Sequence, residues 1–282
     1  MDLSLIFTTY NSPLWLQKVL WGVLQQQHRR FEIIIADDGS TDATRHLIDS
    51  MKPEFEHANI PLKHVWQSDK GFRKCRILNK AIIQSRHDYI VFTDGDCILR
   101  KDFLTEHVAN AEKGYYLSGT YFKLPMSISQ IISKDDIVSQ RCFSRQWLQS
   151  QGLQKNRGRL KLTQQPALAR WANRWTPTAC NLKGANASAW KSDILAVGGM
   201  DERLHSGGQD RELGIRLQNK GNKAKHVRYN AVCLHLDHGR AYRDDNRVKT
   251  IREHRLEVER EGISHTTFGT DRLQSLLSGQ SE

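Results

Sequence analysis

Tyr89-Ile90-Val91-Phe92-Thr93-Asp94-Gly95-Asp96 is the stretch on which the fold turns: aromatic, aliphatic and β-branched residues run unbroken into two carboxylates around a glycine. Such a run reads as a strand covered on both faces, and its abrupt polar end marks where the chain leaves the sheet. Two earlier runs have the same form. Leu3 to Thr8 ends in Thr8-Thr9-Tyr10-Asn11, and Phe31 to Ala36 ends in Asp37-Asp38-Gly39-Ser40. Helical patterns lie between them, over Leu14 to Gln27 and over Asp42 to Met51, the second opened by Ser40, Thr41 and Asp42 as capping residues. Leu62 to Gln67 then reads as a strand and Lys74 to Ser85 as a helix. The alternation predicts an α/β fold with a mostly parallel sheet flanked by helices. In such sheets ligands bind at the carboxyl ends of the strands, where these three polar strings converge.

From about Tyr115 the pattern loosens, and residues 126–178 are rich in Gln, Arg and Trp with weak periodicity, so a less regular and partly mobile region is expected. Ordered patterns return over Asn181 to Gly199, in a helix from Gln209 to Lys220, in a strand near Val232 to Leu236, and in a charged helix around Asn246 to Glu261. The expected organisation is a single domain in two halves, 1–115 and 116–240, followed by a helical C-terminal tail over 241–282. No internal repeat is visible.

Composition narrows the partners. The chain has 282 residues, enough for a packed core without staples, and its five cysteines are scattered with no CxxC pair, which favours a reducing compartment over a zinc or disulfide framework. The first residues enter a strand-like run without a basic-and-apolar leader, and no window approaches the ~20 apolar residues of a membrane span. A cytoplasmic protein is the expectation. The net charge is +11, and between Lys123 and Lys191 twelve Lys or Arg face only Asp135 and Asp136. So concentrated a surplus points to an anionic partner: nucleic acid, an anionic membrane surface or an acidic glycan. No nucleic-acid-binding motif accompanies it, so nucleic acid is the least favoured of the three.

The carboxylates after Thr93 suit a hard divalent cation whose shell is completed by water and phosphate oxygens, although Asp-Gly is also a common turn pair. Asp37 and Asp38 exceed what the capping of a helix start needs, which suggests a ligand. His235 and His238, in Leu234-His235-Leu236-Asp237-His238 at a strand end, read either as packed or surface residues or as cation ligands, His235 first. Trp171, Trp175 and Trp190 are either a platform for sugar rings or a small local core.

Together Ser4-Leu5-Ile6-Phe7-Thr8-Thr9-Tyr10-Asn11, Ile35-Ala36-Asp37-Asp38-Gly39-Ser40 and Phe92-Thr93-Asp94-Gly95-Asp96-Cys97 resemble glycosyltransferase family 2, in the family's order and over about residues 3–240. The resemblance implies a glycosyltransferase-A (GT-A), Rossmann-like fold. It implies that Thr8, Tyr10 and Asp38 hold the nucleoside of a nucleoside-diphosphate sugar, UDP being the expected nucleotide. Asp94 would meet the ribose or donor sugar, and Asp96, with Asp94 and a histidine, the Mn2+ or Mg2+ ion. Lys183-Gly184-Ala185-Asn186, Val197-Gly198-Gly199-Met200-Asp201-Glu202 and Gly207-Gly208-Gln209-Asp210-Arg211-Glu212-Leu213 are similar to the subgroup with a galactosyltransferase-type C-terminal region. They imply Asp210 as general base, and Asn186, Gly208, Gln209 and Trp190 near the acceptor. Gln209 stands where that string usually has glutamate. Gly71-Phe72-Arg73-Lys74-Cys75-Arg76-Ile77-Leu78-Asn79 resembles the family's Gly-Phe-Arg segment but has Leu78 where arginine is common; it leaves Arg73 either for the donor diphosphate or the Asp94 region or as a solvated charge at a helix start.

The implied reaction is an inverting transfer to a hydroxyl of a surface polysaccharide or lipopolysaccharide intermediate, with peripheral attachment to the inner face of an anionic membrane as a further expectation. Two other readings use the same carboxylates: a two-carboxylate glycoside hydrolase, which has no use for Asp38, Thr8 and Tyr10, and a non-catalytic nucleotide- or carbohydrate-binding protein.

Overall fold

The computed structural model describes residues 1–154, 159–163, 165–205, 207–239 and 245–277. The elements run β1 (Leu3–Thr9), α1 (Pro13–Leu24), β2 (Phe31–Asp37), α2 (Asp42–His57), β3 (Leu62–Trp66), α3 (Lys74–Gln84), β4 (Tyr89–Asp94), β5 (Cys97–Leu99), α4 (Phe103–Asn110), β6 (Tyr115–Ser118) and β7 (Thr120–Lys123). They continue with α5 (Met126–Ile131), α6 (Lys134–Val138), α7 (Arg145–Ser150), α8 (Pro166–Arg174), β8 (Asn186–Trp190), α9 (Lys191–Ala196), α10 (Gln209–Asn219), β9 (Lys223–His226), β10 (Val232–His235), α11 (Asp245–Arg260) and α12 (Thr270–Leu277).

Seven strands form one sheet in the order β3-β2-β1-β4-β8-β6-β9, parallel except for β8, which runs against both β4 and β6. A smaller sheet, β5-β10-β7, stands beside it. Alternation along a strand explains why β1, β2 and β4 read as continuous apolar runs. Leu3, Leu5, Phe7, Ile33, Ile35 and Val91 point to one face, against Leu16, Leu20, Ile48 and Phe55 of α1 and α2. Ile6, Ile34, Ile90 and Phe92 point to the other, against Ile77, Ala81 and Ile82 of α3 and Leu213 and Leu217 of α10.

Two expectations need revision. The helix expected to stop at Met51 continues to His57 through Pro53. Ile48, Met51 and Phe55 form one buried stripe at helical spacing, and burial of Phe55 holds the last turn although Pro53 has no N–H to donate. Residues 126–178, expected to be irregular, hold four short α-helices, three of which, α5 to α7, surround a third core of Ile128, Ile132, Ile137, Cys142, Phe143 and Leu148, packed on β10. Each helix is too short for its apolar spacing to be read.

The five cysteines are free thiols. No helix among the described residues is long and apolar enough to cross a membrane.

His107 of α4 is fully buried between Ser188 Oγ (2.8 Å from Nδ1) and Asn186 Oδ1 (3.1 Å from Nε2). Burial outweighs the Asn186 hydrogen bond and pushes its pKa down from 6.5 to about 4. Between those values the unfolded chain binds a proton that the folded chain refuses, so stability is full above pH 6.5 and falls as the pH drops toward 4. The loss attributable to this one ring is about 3 kcal/mol. Urea titrations at pH 7 and pH 4.5 are expected to show it in the wild type and to show most of it removed in His107→Gln.

Candidate active site

β1 and β4 are neighbours at the point where the strand order turns from 3-2-1 to 4, and their carboxyl ends meet with Thr8 opposite Asp94. Gly95 makes that meeting close: its amide donates to the Thr8 carbonyl at 2.9 Å, and a Cβ there would stand 2.6 Å from the same oxygen. A cleft of about 810 Å³ opens above these ends, within the usual range for small-molecule sites. Thr8, Tyr10, Asp38, Asp94, Asp96, Gly208, Gln209, Asp210, His235 and His238 line it, so these ten residues singled out by sequence share one cavity.

On one side Asp38 is buried. Its Oδ1 accepts from Gln67 Nε2 at 2.7 Å and its Oδ2 from the Arg73 amide at 2.8 Å, while burial pushes its carboxyl upward against the pull of those two donors. Tyr10 is 51% exposed, with its hydroxyl donating to Asp69 Oδ2 at 2.9 Å. Thr8 Oγ1 donates to Asp94 Oδ1 at 3.4 Å.

In the middle, Asp96 Oδ2 lies 3.0 Å from His238 Nε2 and 3.6 Å from His235 Nε2. One ligand atom from each of these three residues falls within 4.8 Å of the others. β10 pairs antiparallel with β5, with His235 opposite Cys97, and this register carries both histidines to the acidic triplet. The His235 ring stacks near Tyr121 (4.8 Å) and His238 (5.3 Å), and its buried Nδ1 has no partner among the described residues. A convergent carboxylate and two imidazoles fit a divalent first-row ion. Burial opposes the charge on Asp96, but the two histidines and Lys74 hold its carboxyl below the usual range.

On the far side Gly208, with φ of +81°, starts α10, and a Cβ there would press on Ile251 of α11 at 2.9 Å. Asp210 follows in the first turn, where the helix dipole favours an anion. Its Oδ2 accepts from the Gly184 amide at 2.8 Å and its Oδ1 from the Arg211 amide at 2.9 Å. Gln209 is buried, and its Oε1 has no partner among the described residues.

Three expected positions fall elsewhere. The Arg73 guanidinium turns back to the Ser68 carbonyl, and only its backbone serves the cleft, through Asp38. The cation that enters is the next residue, Lys74, whose Nζ reaches Asp94 Oδ1 at 2.7 Å. Burial opposes its charge, yet Asp94, Asp210 and Asp96 together hold it above the usual lysine range. Arg73 caps α3 and Lys74 begins it, so the turn of the helix decides which points inward; the adjacency of the two residues concealed this in the sequence. Asn186 is fully buried, accepting from His107 and donating to the carbonyls of Thr120 (2.8 Å) and Ala231 (2.7 Å), which leaves nothing for a substrate. Trp190 pairs with Tyr89 at the start of β4 because β8 is antiparallel, four residues and roughly 13 Å from the rim. Its Nε1 donates to the Glu112 carbonyl, and Lys113 lies 3.4 Å above its ring. Tyr121 and Lys183, which also line the cleft, were not foreseen there and belong to no polar string at a strand end.

A second acidic group, Asp201, Glu212 and His254, also lies within ligand distance, but Arg203 engages Asp201 and Arg216 engages Glu212. Its carboxylates are committed to the fold.

An α/β sheet with a carboxylate-rich cleft at its switch point, a carboxylate and two imidazoles converging in it and a separate fixed carboxylate is the arrangement of a GT-A type glycosyltransferase fold. Residues 4–162, more than half of the chain, match the sequence model described as Glycosyl transferase family 2. The chain belongs to that family. Validoxylamine A glucosyltransferase of Streptomyces hygroscopicus subsp. jinggangensis is 27% identical over 237 residues, 78% of this chain and 52% of that one. Among solved structures, S. aureus TarS 1-349 in complex with UDP-GlcNAc is similar over 99% of this chain and 78% of its own, with TM-score 0.59 and 16% identity. The mannosyltransferase PcManGT from Pyrobaculum calidifontis, in complex with GDP-Man and Mn2+, is similar over 90% of this chain and 61% of its own, with TM-score 0.58 and 17% identity. At those identities the structural likeness speaks for the fold. The chain spans 23% to 52% of the length of the curated relatives it matches.

Proposed function

We infer that the protein is an inverting, metal-dependent hexosyltransferase that moves a sugar from a UDP-sugar to a hydroxyl of a membrane-borne surface-glycan or lipopolysaccharide intermediate. The observation that carries this reading is the placement of Asp210: a carboxylate fixed by two backbone amides, lining the same cleft as Asp94, Asp96 and the two histidines. An inverting displacement needs one base on the side opposite the leaving diphosphate, and no protein nucleophile.

In this reading Asp38, held by Gln67 and the Arg73 amide, accepts from the nucleobase, and Tyr10 and Thr8 border the nucleoside. Lys74 orients Asp94 toward the donor sugar and offers positive charge where the diphosphate departs. Asp96, His235 and His238 would hold a divalent ion, which when bound would supply Lewis-acid stabilisation of the leaving diphosphate. Asp210 takes the proton of the acceptor hydroxyl as it attacks the anomeric carbon. Gly208 and Gln209 border the acceptor side of the cleft, where the amide of Gln209 adds no charge. Mn2+ is favoured over Mg2+ by the two imidazoles, since Mg2+ prefers oxygen ligands.

Calorimetry with a panel of nucleoside diphosphates, with and without Mn2+, tests the donor side. The expected outcome is metal-dependent binding of UDP, weakened at least ~10-fold in Asp96→Ala, the order of loss that follows removal of a metal-site residue. Absence of nucleotide binding in every metal condition would overturn the reading.

A further inference from the structure

We propose that α8 is a membrane-docking helix that seats the protein on an anionic lipid surface through Trp171, Trp175, Arg170 and Arg174. This deepens the proposed function by naming the surface that meets the membrane, and rests on that reading only for the glycolipid nature of the acceptor.

The helix has two unlike faces. Ala169 and Ala172 are buried beneath it, and Asn173 ties it down: its Oδ1 accepts from the Tyr229 amide at 3.1 Å and its Nδ2 donates to Asn230 Oδ1. The outward side carries Arg170, Trp171 and Arg174, with Trp175 at the helix end, all exposed. Trp171 is 59% and Trp175 67% exposed, the most exposed tryptophans among the described residues, and they stand four residues apart, on one face. Neither indole N–H has a hydrogen-bond partner and neither guanidinium an ion pair among the described residues; Arg170 acts on Glu106 only as a more distant charge.

Tryptophan in that setting is suited to the boundary between lipid headgroups and acyl chains, where its body is apolar and its N–H stays wet. Arginines on the same side meet anionic headgroups, and a helix of this composition lies in the interface plane rather than across it. The charge of the surrounding chain agrees, since twelve Lys or Arg face two acids between residues 123 and 191. A glycan platform is the less favoured occupant: neither ring lines the cleft or the second cavity beside Arg100 and Arg141, and an open helix face offers no convergent polar groups to a sugar. After α8 the chain runs to Lys183 and Gly184, and the amide of Gly184 holds Asp210, so a helix resting on the bilayer would bring a glycolipid headgroup toward the cleft.

The test is co-flotation of the full chain with vesicles of phosphatidylcholine alone and of phosphatidylcholine with about a third phosphatidylglycerol, at low and high salt. UDP binding is measured on the same samples. Binding is expected to the anionic vesicles only, weakening with salt. In Trp171→Ala/Trp175→Ala it should fall at least ~10-fold, and in Arg170→Gln/Arg174→Gln it should fall and lose most of its salt dependence, with UDP binding unchanged in both. These side chains are exposed, and circular dichroism checks that the variants are folded. Wild type that ignores anionic vesicles, or a double tryptophan variant that binds them like wild type, overturns the proposal. So does saturation transfer from Trp171 and Trp175 to a soluble oligosaccharide without vesicle binding, which would make the helix a glycan subsite. Vesicle binding without UDP binding would instead sink the transferase reading and leave the docking helix standing.

Discussion

Asp210→Asn is expected to lower the rate of sugar transfer by about 10² to 10⁴ while leaving UDP affinity within about twofold, because the variant loses the group that receives a proton and, of its two amide contacts, only the one to Arg211. Asparagine fills the same space, and its Oδ1 can still accept from the Gly184 amide that holds Asp210 at 2.8 Å. The nucleotide side, around Asp38 and Thr8, is untouched. The effect should therefore appear equally in kcat and in kcat/KM, the pattern of an interaction made in the transition state. UDP release from a UDP-sugar donor, with a membrane glycolipid extract as acceptor, is the measurement. A rate within about threefold of wild type would remove Asp210 from the role of base, because the lower bound for that role is ~10²-fold.

Glu212→Ala should cost about 3–5 kcal/mol of stability, although Glu212 stands only two residues from Asp210. The reason is Arg216, the largest fully buried side chain among the described residues. Its Nε donates to Glu212 Oε1 at 2.6 Å and its Nη2 to Glu212 Oε2 at 2.7 Å, and the same guanidinium reaches the carbonyls of Val197 and Gly199. Removing the glutamate leaves a full charge in the core with only two carbonyl acceptors. Urea denaturation of Glu212→Ala measures the cost, and Glu212→Leu/Arg216→Met is expected to recover most of it by removing both charges. A loss below about 1 kcal/mol in the single variant would mean that water reaches the guanidinium. In the string Gly-Gly-Gln-Asp-Arg-Glu-Leu, then, Asp210 faces the cleft and Glu212 the core.

Legibility in the sequence followed the length and isolation of each pattern. β1, β2 and β4 were readable to within a residue or two because each is covered on both faces and ends in a polar string. β5, β6, β7 and β9 are three or four residues long, and their apolar content does not separate them from the loops around them. Residues at strand ends were placed well, since strand direction alone carries Thr8, Asp38, Asp94 and Asp96 to one rim. Trp190 and Asn186 were misplaced for one reason. Nothing in Asn186-Ala187-Ser188-Ala189-Trp190 tells that β8 runs against its neighbours, and that reversal sends Trp190 to the far end and buries Asn186 between the two sheets. Lys74 was hidden by a shorter-range effect, the rotation of about 100° between consecutive helical residues.

The reversed strand has one more consequence. Because β8 enters the sheet at the rim where its parallel neighbours leave it, the excursion that leaves the smaller sheet at Lys123, opposite His235, returns to the larger sheet at that rim with Asn186 opposite Thr93. The pairings of β1, β2, β3 and β4 use no residue of that excursion, and an exchange within it that keeps the Ser129 and Gln130 carbonyls on Lys18 of α1 leaves them as they stand. The chain is in this respect a socket with an exchangeable head: its nucleotide-facing strands form a constant part, and new selectivity can be grafted between two fixed points without disturbing it.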